Sequence, residues 1–158
     1  MPAGHFMSMA CAERRLSMPD ALVFHFDVDG ENFTSAGQAS TAVKRNLRQL
    51  GMPPEIIRRV SIAMYEGEIN MVIHANGGVA DVIVHEDNIE IILADRGPGI
   101  KDINLAMQEG YSTAPDNIRS LGFGAGMGLP NMKRYTDSIE IETELGVGTT
   151  IRMKVNLT

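Results

Sequence analysis

Asp95-Arg96-Gly97-Pro98-Gly99-Ile100 follows an apolar run, Ile89 to Ala94, and places a carboxylate and two glycines in one turn. A strand ending this way leaves its acid at the end of a sheet. Gly97 and Gly99 let backbone approach a flat ligand closely, and Pro98 stiffens the bend. Two further stretches belong with it. Downstream is the cluster Gly122-Phe123-Gly124-Ala125-Gly126-Met127-Gly128-Leu129, and upstream Glu66-Gly67-Glu68-Ile69-Asn70 lies within a helical pattern.

The elements around these motifs follow from periodicity. Leu22 to Val28 reads as a first strand. Thr34 or Ser35 is placed to cap a helix running to Leu50, with Gly51 as its stop. Pro53-Pro54 opens a second helix, in which Ile56, Val60, Ala63, Met64 and Met71 recur at helical spacing and Gly77-Gly78 form the end. Val79 to Val84 and Ile89 to Ala94 flank Glu86-Asp87-Asn88 as a hairpin. Residues 101–123 read as a long connection, and a short helix is expected near Met127 with Pro130 in its first turn. Ile139 to Leu145 and Ile151 to Leu157 alternate around Gly146-Val147-Gly148, a closing hairpin. The pattern predicts an α/β two-layer sandwich, a mixed and mostly antiparallel sheet covered by helices on one face.

Composition narrows the class. A chain of 158 residues, 44% hydrophobic and 22% charged, suits one soluble domain. Its formal net charge of −6 argues against nucleic acid as a partner, because phosphate binding needs a basic footprint. Cys11 is the single cysteine, so neither an internal disulfide nor a CxxC metal site forms. No apolar run is long enough to span a membrane, and residues 1–20 lack a continuous apolar h-region. A cytoplasmic protein is expected, with 1–20 a flexible Met-rich extension and 21–158 the folded domain. The eleven methionines read as core filler rather than a binding surface.

Glu66 and Asn70 are one helical turn apart and share a face, while Glu68 points elsewhere. A carboxylate can take a proton from a nucleophile, and an amide oxygen can ligate Mg²⁺. Gly67, costly inside a helix, points to a close approach by a neighbour. Asp95 can accept the exocyclic amine of adenine. Gly124, Gly126 and Gly128 lead into a helix start, where free N–H groups favour phosphate. GxxxxGK[ST] is absent, and a dinucleotide fingerprint would need glycine at Leu129. His25, His74 and His85 sit on separate elements without metal-ligand spacing. Lys44, Arg45, Arg48, Arg58 and Arg59 form a basic concentration readable as a solvated face or a docking patch for an acidic partner.

Taken together, these motifs resemble the GHKL superfamily of ATP-binding domains (the Bergerat fold), shared by histidine kinases, gyrase and MutL. Glu66–Asn70 resembles its N box, Asp95–Ile100 its G1 box and Gly124–Leu129 its G2 box. The run through Glu109-Gly-Tyr-Ser-Thr, Gly124 to Pro130 and Lys133-Arg134 is most similar to the anti-sigma factor and stressosome switch serine/threonine kinases. That resemblance implies Glu66 as general base and Asn70 as the Mg²⁺ ligand. Asp95 would read adenine, with Gly97, Gly99 and Ile100 around the base and Thr149 at that end of the site. Gly124, Ala125, Gly126, Met127, Gly128 and Leu129 would line the triphosphate, with residues 107–123 as a lid that carries Arg119.

The function so implied is an Mg-ATP-dependent protein serine/threonine kinase, a partner-switching regulator that phosphorylates a small antagonist protein. A sigma factor or a phosphatase would be a further partner, with neither nucleic acid nor membrane involved and a homodimer compatible. A second reading is a non-catalytic, ATP-responsive module that sequesters a sigma factor or activates a phosphatase. A third, the catalytic half of a histidine kinase, lacks an upstream helical segment bearing a phosphoacceptor histidine.

Overall fold

The computed structural model describes residues 21–110 and 127–158. Strand β1 (Leu22–Asp29) leads through a 3₁₀ turn (Phe33–Ser35) to helix α1 (Gln38–Gln49) and the long helix α2 (Pro54–Ala75). The hairpin β2 (Gly77–Val84) and β3 (Asn88–Asp95) follows, then a one-turn helix α3 (Ile103–Ala106). After the undescribed stretch come helix α4 (Gly128–Arg134) and the hairpin β4 (Ser138–Glu144) and β5 (Gly148–Asn156).

The strands form one sheet in the order β1-β2-β3-β5-β4, antiparallel at every pairing. Alternation sorts its faces. Ala80, Val82 and Val84, with Ile89, Ile91 and Leu93 and then Ile151, Met153 and Val155, are buried beneath the helices. The opposite face carries a cross-strand row in register, His25, Asp81, Ile92, Arg152 and Glu140. One face is core and the other carries charge, the two-layer sandwich that the alternation predicts.

Helix α1 buries Ala39, Val43 and Leu47, four residues apart, against α2. It starts later than the sequence pattern indicates. Thr34 and Ser35 lie in the 3₁₀ turn, where Asn32 caps Thr34, and the N-cap of α1 is Gly37 in a left-handed conformation, without a side-chain bond of its own. Helix α2 begins with Pro54 in its first turn and ends at Asn76 in the left-handed region, so Gly77 and Gly78 open β2 instead of closing the helix. It is buried along most of its length because α1, α4 and the sheet all pack on it. No helix among the described residues is long and apolar enough to cross a membrane.

Candidate functional site

Gly67 is the pivot of α2. A Cβ there would stand 2.0 Å from Leu93 Cδ1 and 3.5 Å from Met132 Sδ, so its absence lets β3 and α4 close on the same turn of helix. That is the close approach its position implied. Met132 and Leu129 are buried, which seats α4 along α2 by its apolar side.

The seating brings Glu66 and Asn70 against the start of α4. Asn131 Nδ2 donates to Glu66 Oε1 at 3.1 Å. Gly128 packs on Asn70 so tightly that a Cβ would meet Asn70 Oδ1 at 2.9 Å and Nδ2 at 3.0 Å. Both α2 residues are half-buried and share the α4-facing side, as their spacing predicts. An amide oxygen in this place is a hard donor. Mg²⁺ takes hard oxygen donors and keeps several waters beside substrate phosphates, so one protein amide oxygen is compatible with that ion.

At the far end, Asp95 finishes β3. Its Oδ1 accepts from the Gly97 N–H at 2.9 Å and the Thr149 N–H at 3.2 Å, which fixes the carboxylate; Oδ2 has no protein partner among the described residues. Gly97 lies over Ala75, whose Cβ a Gly97 Cβ would reach at 2.6 Å, and Gly99 takes a φ of +82° beside the Glu144 carbonyl. Ile100 N–H donates to Thr143 Oγ1 at 2.8 Å, and that hydroxyl lies 2.9 Å from Thr149 Oγ1. The β4–β5 hairpin thus braces the glycine turn, and Thr149 is buried there. These bonds hold the floor of this end and leave one carboxylate oxygen to accept a donor.

Of the expected site residues, Glu66, Asn70, Asp95, Gly97, Gly99, Ile100, Met127, Gly128, Leu129 and Thr149 are placed. The first six, with Gly128 and Thr149, occupy the two ends just described, whereas Met127 is the residue before α4 and the Leu129 side chain belongs to the core. Gly124, Ala125, Gly126 and Arg119 lie outside the described residues. A surface depression of about 600 Å³ opens between the start of α1 and Tyr65, lined in part by Ser40, Thr41 and Arg45, and none of the expected site residues lines it.

Three contributors escape a reading by motif. Glu68 is 2% exposed and accepts from the backbone N–H groups of Gly37, Ala39 and Ser40 at 2.9, 3.1 and 3.0 Å, so it caps α1 from another helix. Its signal was its place in the buried stripe between Met64 and Met71. Thr143 is a polar residue at an inward strand position, and Asn131 follows the glycine cluster on a helical turn. The basic concentration also divides. Arg59 donates to the Tyr135 carbonyl at 3.1 Å and to Asp137 at 3.0 Å, tying α2 to the end of α4, while Arg58 lies over the Tyr135 ring. Two of the histidines pair with carboxylates, His25 with Asp81 and His85 with Glu90, and no cluster suited to a metal occurs among the described residues.

Residues 32–155 match the histidine kinase-like ATPase domain family. An anti-sigma F factor of Clostridium acetobutylicum is 34% identical over 131 residues, which cover 80% of this chain and 85% of that relative. Two solved structures share the fold. The RsbU and RsbW domains of a Mycobacterium tuberculosis protein superpose with a TM-score of 0.59 at 17% identity, over 85% of this chain and 32% of that one. The SiaB–SiaC complex of Pseudomonas aeruginosa gives 0.60 at 11% identity, over 97% of this chain and 100% of that one.

Proposed function

The chain belongs to the histidine kinase-like ATPase domain family, alongside the anti-sigma F factors, and from that membership we propose that it is an Mg-ATP-dependent serine/threonine kinase acting as a partner-switching regulator. Its substrate in this reading is a small antagonist protein with a serine or threonine phosphosite, and a sigma factor or phosphatase is the second partner. Residues 21–158 form the ATP-binding domain, and residues 1–20 stand outside it.

One observation carries the kinase reading over simple binding. Glu66 shares the α4-facing side of α2 with Asn70, one turn away, where a base and a charge-neutralising cation would be needed together. Asn70 would hold Mg²⁺, which when bound neutralises phosphate charge. Asp95, through its unengaged oxygen, accepts the adenine amine, and Gly97, Gly99 and Ile100 shape the base pocket. Met127, Gly128 and Leu129, with Gly124, Ala125 and Gly126 before them, supply backbone to the triphosphate. Glu66 orients the acceptor hydroxyl and takes its proton. Phosphoryl transfer asks mainly for positioning and charge stabilisation, which such a constellation can provide.

The test is to incubate wild type and Glu66→Ala with Mg-ATP in extract of the source cells and map phosphosites by mass spectrometry. Wild type should phosphorylate a small protein on serine or threonine, and Glu66→Ala should reduce the rate by about 10²-fold or more while ATP affinity holds. Equal phosphorylation by both proteins would overturn the assignment. A stoichiometric complex without transfer would favour the non-catalytic, ATP-responsive module.

A further inference from the structure

Helices α2 and α4 run antiparallel and meet at three successive points. Asn70 meets Gly128, Glu66 meets Asn131, and Arg59 meets the Tyr135 carbonyl. The middle contact is chemically distinct. Gly128 against Asn70 is a close backbone approach, and Arg59 on Tyr135 closes a helix end. Among the described residues, Asn131 alone reaches the carboxylate assigned as base, and it donates to one of its oxygens.

We propose that Asn131 is a positioning residue for phosphoryl transfer, which rests on the kinase reading of Glu66. Its amide N–H holds Glu66 Oε1 and leaves Oε2 as the acceptor for the nucleophile's proton. In the step it serves, the acceptor oxygen bonds to the γ-phosphorus, the bond from that phosphorus to the bridging oxygen breaks, ADP leaves, and the proton passes to Oε2. A carboxylate with two equivalent free oxygens samples several rotamers, and a misplacement on the scale of 1 Å costs rate, not affinity. The arrangement also makes base alignment depend on α4. That helix begins at Gly128, within the segment that would meet the phosphates, and Arg59 and the buried Met132 lock its remainder. Seating of α4 therefore sets Asn70 and Glu66 together.

The experiment measures initial rates of γ-phosphoryl transfer from Mg-ATP by the full chain to protein in extract of the source cells, for wild type, Asn131→Ala and Asn131→Asp. Asn131→Ala should lower kcat by about 10- to 100-fold. KM for Mg-ATP should stay within about twofold and the thermal midpoint should not move. Asn131→Asp keeps the shape but loses the donor and should lose at least as much. The proposal is overturned if both variants keep kcat near wild type, or if KM and thermal midpoint worsen in step with kcat, as a merely structural residue would require. If wild type binds Mg-ATP yet phosphorylates nothing in the extract, the kinase reading itself fails and takes this inference with it. Turnover by wild type matched in both variants removes only the role of Asn131.

Discussion

Asp95 shows how a single residue is prepared for a ligand. Two backbone N–H groups hold its Oδ1, so the carboxylate is ordered before anything binds, and little conformational entropy remains to be lost in the adenine recognition proposed for it. The histidines show the reverse, titratable groups engaged elsewhere. His25 is exposed on the open sheet face, and its hydrogen bond to Asp81, helped by that carboxylate's charge, raises its pKa above the usual 6.5. Burial lowers that of His74 below the same value. The signs oppose. The His25 contribution to stability is present below pH 6.5 and fades as pH rises through its folded value. The unfolded chain protonates His74 before the folded one does, so its contribution is lost as pH falls from 6.5 through the folded value. Proton NMR of the imidazole Cε1–H signals should give a midpoint above 6.5 for His25 and below it for His74. The opposite order would contradict these environments.

Among elements, α1 depends on a residue it does not contain. Its N-cap is glycine, and its first amides are satisfied by the Glu68 carboxylate from α2. Hydrogen bonds to a charged group contribute roughly 1.5–3 kcal/mol each, and a buried amide left unmatched is costly. Glu68→Ala is therefore expected to cost about 3 kcal/mol in denaturant unfolding, with early loss of α1 protection in hydrogen exchange. A cost below about 1 kcal/mol would show that water or rearranged backbone replaces the cap. This element also marks what the sequence could convey. Periodicity read α2 from Pro54 and both hairpins with their inward faces, because those signals are local. The start of α1 was misplaced to Thr34 or Ser35, since its real cap lies 31 residues away from Gly37. No local pattern encodes such a contact.

At the scale of the whole molecule, the sheet and α2 act as a frame for the two ends of the proposed site. The motif at Asp95–Ile100 was legible as a rigid glycine turn, and Glu66–Asn70 as one helical face. Both readings rest on spacing, and both faces are found as expected. Asn131 and Thr143 were not legible as site residues, because their importance comes only from which distant atom they touch, Glu66 in one case and the Ile100 amide in the other. The Gly67 gap that admits Leu93 and Met132 belongs to the same class of facts, a consequence of three elements converging. The family relationship and these contacts support one central claim, that α2, the end of β3 and the start of α4 together bind magnesium-bound ATP. Isothermal titration of Mg-ATP and Mg-GTP into wild type and Asp95→Asn tests it most directly. Wild type should bind Mg-ATP in preference to Mg-GTP, because guanine offers a carbonyl where Asp95 needs a donor, and Asp95→Asn should weaken Mg-ATP binding by about tenfold or more. No heat from Mg-ATP with wild type, or equal affinity in Asp95→Asn, would contradict the account.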